Sequence, residues 1–187
     1  MAVRHPERVS ALVAFAAVSG RYEPAAADLE SRLMMNTTVG NWFLRFLTAH
    51  APKTTISATL NAEGDLSRDE LRDLVAEAVA DERARDVVLT MATVVADHAH
   101  RRDGIENDLA RFAEIGSLDL ERISAPTLII AGTADTDVPS DHSTRAATTI
   151  PGANQIVMQH GTHLCLFVHP DAPAAQAQVV AILRANG

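Results

Sequence analysis

Cysteine is nearly missing from this chain: Cys165 is the only one in 187 residues. A single thiol closes no internal disulfide, and nothing points to an oxidising compartment. Positive charge is outweighed, with 16 Lys and Arg against 24 Asp and Glu and a net charge of −8. An acidic chain binds a phosphate backbone poorly, which argues against nucleic acid as a partner. Long apolar runs are missing too. The best one, residues 9–18, is too short to span a bilayer and gives way to Ser19-Gly20-Arg21-Tyr22-Glu23-Pro24. The opening Met1-Ala2-Val3-Arg4-His5-Pro6-Glu7-Arg8 has no apolar segment before a small-residue cleavage site, so it does not read as a signal peptide. A soluble cytoplasmic protein without a membrane span is the expectation. Aromatics make up only 4% of the chain, so the places where they cluster stand out.

Hydrophobic residues make up 47% and charged residues 21%, enough to bury a sizeable core. The length fits one domain, or one domain with a helical insert. Three segments read as buried strands. Residues 9–18 are almost continuously apolar, as in a strand covered on both faces. Pro126-Thr127-Leu128-Ile129-Ile130-Ala131-Gly132 is β-branched and closed by glycine. Gln155-Ile156-Val157-Met158 is entered from Pro151-Gly152.

Residues 24–122 read as helical. Ser67-Arg68-Asp69-Glu70 is a capping box, followed by Leu71, Leu74, Val75, Ala78 and Val79 at helical spacing. Further periodic sets are Val87, Val88, Met91, Val94 and Val95, then Ile105, Leu109, Phe112 and Ala113. Gly104-Ile105-Glu106-Asn107-Asp108 reads as a capped helix start, with substrate contact as the alternative. Trp42, Phe43, Phe46 and Leu47 share a helix face, the one aromatic cluster in the chain. Such a face either packs into a core or lines an apolar substrate pocket. Pro139-Ser140-Asp141-His142 opens a helix with Ser140 as its expected N-cap. The last helix starts at Asp171-Ala172-Pro173, with Val179, Ile182 and Leu183 expected on its inner face. Strands alternating with helices imply a parallel sheet.

At two strand ends the sequence becomes specific. Gly132-Thr133-Ala134-Asp135-Thr136-Asp137-Val138-Pro139 follows the second strand, and His160-Gly161-Thr162-His163-Leu164-Cys165 follows the third. Loops at the carboxyl ends of parallel strands build active sites, so an acid and an imidazole belong to neighbouring loops. Asp135 is the favoured acid. A plain turn aspartate is the competing reading, and Asp137 the competing residue. His163 is the favoured imidazole, against a core histidine or His160.

These two loops resemble those of the α/β-hydrolase superfamily, whose acid loop reads G-x-x-D-x-x-V-P. His5-Pro6-Glu7-Arg8-Val9, the apolar strand and Ser19-Gly20 resemble the end of the helix behind that family's nucleophile and the strand that follows. The resemblance implies a partial α/β-hydrolase fold: a short three-stranded parallel sheet from residues 1–23 and 123–187, with a helical cap over 24–122. It makes Asp135 the triad acid, His163 the general base, and Trp42, Phe43 and Phe46 contacts for an apolar acyl substrate. It implies no cofactor. The family's nucleophile elbow G-x-S-x-G is not in this sequence, nor is its oxyanion loop. Ser19 lacks the first glycine and the strand-to-helix turn. The missing part amounts to on the order of 100 residues, at roughly 30 per strand–helix unit. A truncated product or misplaced start codon is therefore the expectation, along with an inactive chain and self-association through an uncovered sheet edge.

The implied activity is hydrolysis of an ester or related acyl bond by a Ser-Asp-His triad. The cap of such proteins also adapts the fold to C–C, epoxide or carbon–halogen bonds. The alternative is a non-catalytic or vestigial binding module of the same fold. Two smaller constellations read as bland. His98 and His100 point to different helix faces and complete no zinc set. Cys165, inside an apolar run, reads as a core residue.

Overall fold

The computed structural model describes residues 1–23, 38–95 and 98–187, with side chains at 38–39, 41, 95 and 98–102 set aside. Residues 24–37, read above as the start of the cap, lie outside it, as do Asp97 and the side chains of His98 and His100. The chain divides into two compact units. One comprises Met1–Tyr22, Glu63–Asp65 and Ile115–Gly187; the other comprises Glu23–Ala62 and Leu66–Glu114.

The first unit is built on three parallel strands in the order β1 (Leu12–Phe15), β2 (Thr127–Gly132), β3 (Asn154–Met158). β2 is buried along its whole length. Its alternate side chains feed two cores, because successive residues of a strand point to opposite faces. Ile129 joins Ile123, Ala125, Ala146 and Ile150 on one face. Leu128 and Ile130 join Met158, Cys165 and Ala175 on the other. The helix Ser140–Thr149 supplies Ala146 to the first core, and the helix Ala172–Asn186 supplies Ala175 to the second. This two-sided cover explains the continuous apolar run of β2.

β1 is shorter than the expected 9–18. Val9 closes a 3₁₀ turn over Pro6–Arg8 by donating its N–H to the Pro6 carbonyl. Ala16 takes a left-handed φ of 44° and ends the ladder. The flanking apolar residues still pack: Val9 lies against the Ile129 core.

The second unit is helical. Its elements are α1 (Thr38–His50), α2 (Pro52–Ala62), α3 (Arg68–Ala80), α4 (Glu82–Val95) and α5 (His98–Glu114). α2 packs against α1, α3 and α4, burying Thr55, Ile56 and Leu60 against a core that includes Leu74, Val75, Ala78, Ala84 and Val88. The capping box at the start of α3 is formed in full. The Ser67 N–H donates to Glu70 Oε2 at 2.8 Å, and the Glu70 N–H donates to Ser67 Oγ at 3.3 Å. The helices of the first unit are then α6 (Ser140–Thr149) and α7 (Ala172–Asn186).

Four local expectations are corrected. The N-cap of α6 is Pro139, without a side-chain cap, and Ser140 is the first helical residue. The Gly104–Asp108 stretch is not a helix start but lies inside α5. Leu183 is exposed, and α7 turns Ala172, Ala175, Val179 and Ile182 inward instead. Trp42, Phe43 and Phe46 are not core residues, with Trp42 63% exposed. The side of α1 turned inward carries Gly40, Leu44, Leu47 and Thr48 at helical spacing. That leaves Trp42 stacked on Phe46, and Phe46 on His50, along the outer face.

Candidate active site

The acid and histidine loops come together because glycines let their backbones touch. A Cβ on Gly132 would lie 2.0 Å from the Gly161 carbonyl oxygen, so only glycine fits at that crossing. The Thr133 N–H donates to the Met158 carbonyl at 3.0 Å and the Ala134 N–H to the Gly161 carbonyl at 2.9 Å. His160, with φ 57°, turns the chain after β3 and donates its N–H to Thr133 Oγ1 at 2.8 Å. These bonds carry the sheet's order past its last strand residue.

Asp135 and His163 meet at the centre. His163 Nδ1 lies 3.0 Å from Asp135 Oδ2 and 3.2 Å from Oδ1. Asp135 Oδ1 also accepts the N–H groups of Asp137 and Val138, each at 2.9 Å. The Asp135 side chain is 1% exposed and that of His163 is 26% exposed. The carboxylate is thus buried but amply hydrogen-bonded, and the imidazole reaches the surface of its unit. Asp137 donates its N–H to Asp135 and accepts the Tyr22 hydroxyl on its carbonyl, while its carboxyl group faces Glu63. His160 is exposed on the turn. The His163 pKa is raised, first by the hydrogen bond to Asp135, against a lowering by burial, with the charges of Asp135, Asp137 and Glu63 adding to the rise.

Sequence reasoning missed Glu63–Asp65, which belongs by its contacts to the sheet-bearing unit. The His163 N–H donates to the Glu63 carbonyl at 2.9 Å, and the Asp65 N–H to the Ala134 carbonyl at 2.8 Å. Gly64 bridges Asp135 in antiparallel fashion. Nothing in Glu63-Gly64-Asp65 distinguishes it from an ordinary interhelical turn. Carboxyl oxygens of Glu63 and Asp137 and a ring nitrogen of His163 lie within 4.8 Å of one another. Two carboxylates and one imidazole fall short of the four ligands of a structural zinc site. With the imidazole already held by Asp135, the three form an electrostatic cluster.

The remaining candidates are placed as follows. Trp42, Phe43 and Phe46 belong to the helical unit. Cys165 is buried in the β2–β3–α7 core, and burial pushes its thiol up to about 12, so it stays protonated. Ser19 pairs with His142. Its N–H donates to His142 Nδ1 at 3.1 Å and its Oγ lies 3.4 Å from the same nitrogen, with both residues buried.

No protein-family model matches the chain, and no curated protein does. Solved structures do. An α/β-hydrolase fold protein from Nakamurella multipartita is 41% identical, with a TM-score of 0.95 over 100% of this chain and 64% of its own. This chain is a partial α/β-hydrolase fold, a member of that superfamily. It spans 64% of that relative's length. Two more distant structures share the α/β-hydrolase fold. A meta-cleavage product hydrolase from Pseudomonas fluorescens is 19% identical, with a TM-score of 0.54 over 100% of this chain and 60% of its own. An esterase from Rhodococcus is 14% identical, with a TM-score of 0.52 over 96% of this chain and 57% of its own. Among the described residues no helix is long and apolar enough to cross a membrane.

Proposed function

We propose that this α/β-hydrolase chain supplies the acid and the histidine of a Ser-Asp-His triad for hydrolysis of an ester or related acyl bond. The serine, with its oxyanion hole, comes from a part of the fold outside these 187 residues. The observation that supports the reading best is the 3.0 Å approach of His163 Nδ1 to the buried Asp135 carboxylate. With Nδ1–H donated to Asp135, the imidazole lone pair sits on Nε2. Nε2 takes the proton of the attacking hydroxyl and passes it to the leaving group. A water then gives its proton to Nε2 as it attacks the acyl carbon, and Nε2 returns that proton to the serine oxygen as the acid departs. Asp135 holds the tautomer and stabilises the imidazolium throughout.

Neither Ser19 nor Cys165 suits the nucleophile's role. Ser19 is tied to His142, and Cys165 is protonated in a core. The residues of the helical unit serve as a cap in this reading, with Trp42, Phe43 and Phe46 offering apolar contacts to an acyl group. No cofactor takes part. The second reading, a binding module without catalysis, is separated by a fluorophosphonate probe, which labels only activated serines. The 187-residue chain stays unlabelled, and the product of a longer reading frame carrying G-x-S-x-G is labelled and hydrolyses p-nitrophenyl butyrate. His163→Ala in that product lowers kcat by about six orders of magnitude. Labelling of Ser19 in the 187-residue chain, or full activity of the alanine variant, overturns the assignment.

A further inference from the structure

We propose that Glu63 is a positioning residue of this site: the turn Glu63–Gly64–Asp65 is fastened across the acid and histidine loops, and its Glu63 carboxyl group, with Asp137, is a second carboxyl partner for the His163 imidazole besides Asp135. The inference rests on the acid–histidine reading and extends it.

The fastening is made by backbone on both sides. The Glu63 carbonyl accepts the His163 N–H, and the Asp65 N–H reaches the Ala134 carbonyl, one residue before Asp135. Between them Gly64 bridges Asp135. A Cβ on Gly64 would lie 2.4 Å from Thr162 Cγ2 and 3.1 Å from the Ala134 carbonyl, so the contact requires glycine. Thr162 is itself fully buried next to His163, which leaves it little room to yield.

The side chain points the same way. Glu63 Oε2 is buried without a hydrogen-bond partner among the described residues, while a carboxyl oxygen of Glu63 lies within 4.8 Å of Asp137 and of a His163 ring nitrogen. A buried oxygen with no donor, facing other carboxylates, favours the protonated form. Burial first, then the charge of Asp137 and a hydrogen bond to its carboxyl group, raises the Glu63 pKa to about 7, against a lowering by His163. The charged or titratable groups around the pair are Asp135, Asp137, His163 and the Tyr22 hydroxyl. Glu63, raised to about 7, and His163, raised by its bond to Asp135, are close enough to influence each other, and ionisation of Glu63 favours the imidazolium.

The test is an NMR titration of ¹⁵N-labelled histidines in the 187-residue chain, with His163 assigned through His163→Gln. The native His163 curve should spread over two steps. Glu63→Gln should give one step with its midpoint lowered by about half a pH unit, and Glu63→Asp should restore part of the spread. Asp135→Asn should lower the midpoint further. The exposed Asp137→Asn keeps the inference open to failure if a Glu63 variant does not fold: it should draw the Glu63 carboxyl ¹³C titration down toward its ordinary range. An unchanged His163 curve in Glu63→Gln, or an unchanged Glu63 titration in Asp137→Asn, overturns the inference while Asp135 keeps its role. An unchanged His163 midpoint in Asp135→Asn sinks the underlying acid–histidine reading instead.

Discussion

β1 and β2 are both apolar, lie side by side and run parallel, yet they differ in cover. Every residue of β2 is buried and every residue of β1 is half-buried. β2 has a strand on either side, whereas among the described residues β1 pairs only with β2. The difference continues into the loops. The turn after β2 is held by Met158 and Gly161 on one side and Asp65 on the other. The turn after β1 opens with a left-handed alanine bonded to Ile130. Burial is thus conferred by neighbours and not by a segment's own composition, and the acid loop has its geometry because its strand is central.

The largest expected effect breaks the crossing that follows β2. Gly132→Ala places a methyl group 2.0 Å from a backbone oxygen that cannot step aside. It should cost more than about 4 kcal/mol or prevent folding, seen in urea denaturation. A variant of native stability would show that the two loops do not approach as described. Next comes the strand comparison itself. Ile130→Ala in β2 should cost about 3–4 kcal/mol and Val13→Ala in β1 about 1 kcal/mol, since the cost follows the burial lost. Equal costs would erase the distinction.

Of the two strands, β2 was the more legible in sequence. Its β-branched run between proline and glycine marks a strand covered on both faces, and six described strand residues answer it. For β1 the same apolar signal overshot, because periodicity registers burial and cannot register the left-handed turn at Ala16. The capping box at Ser67 carried a local code and was readable. α2 was not: Thr54, Thr55, Ser57 and Thr59 dilute its pattern, and only Ile56 and Leu60 mark an inner face. That Asp135 and His163 stand on neighbouring loops was readable because a strand end followed by glycine and an acid is a short-range pattern. Glu63 was not readable, because its place at the site comes from tertiary contact alone.

A third effect concerns the side of β1 away from β2. Among the described residues no strand pairs with its second edge, and no charged side chain lies between Leu12 and Phe15. We expect the chain to self-associate with rising concentration, and Val13→Lys to weaken that association about tenfold, measured by light scattering. A monodisperse native chain at all concentrations would remove β1 as a contact surface.

The smallest effect is one of pH. The folded pKa of Glu63, about 7, is raised above the ordinary 4.5. The protonated form is therefore the one the fold favours. Folding loses stability as pH rises from 4.5 through 7, and the loss is complete above that window. Gln cannot ionise, so Glu63→Gln should match the native chain at pH 4 and exceed it at pH 8 by about 1 kcal/mol, or roughly 3 °C in Tm, after allowance for solvent screening. A gain of the same size at both pH values would mean that packing and not charge is responsible.

The most direct test of the account is the protonation of His163 in the 187-residue chain. Long-range ¹H–¹⁵N correlation at pH 9 should show a neutral ring protonated on Nδ1, with that proton far downfield in its bond to Asp135 and lost to solvent exchange in Asp135→Asn. A ring protonated on Nε2, or a spectrum untouched by Asp135→Asn, would contradict the claim that these two residues form the acid–imidazole pair of a hydrolase.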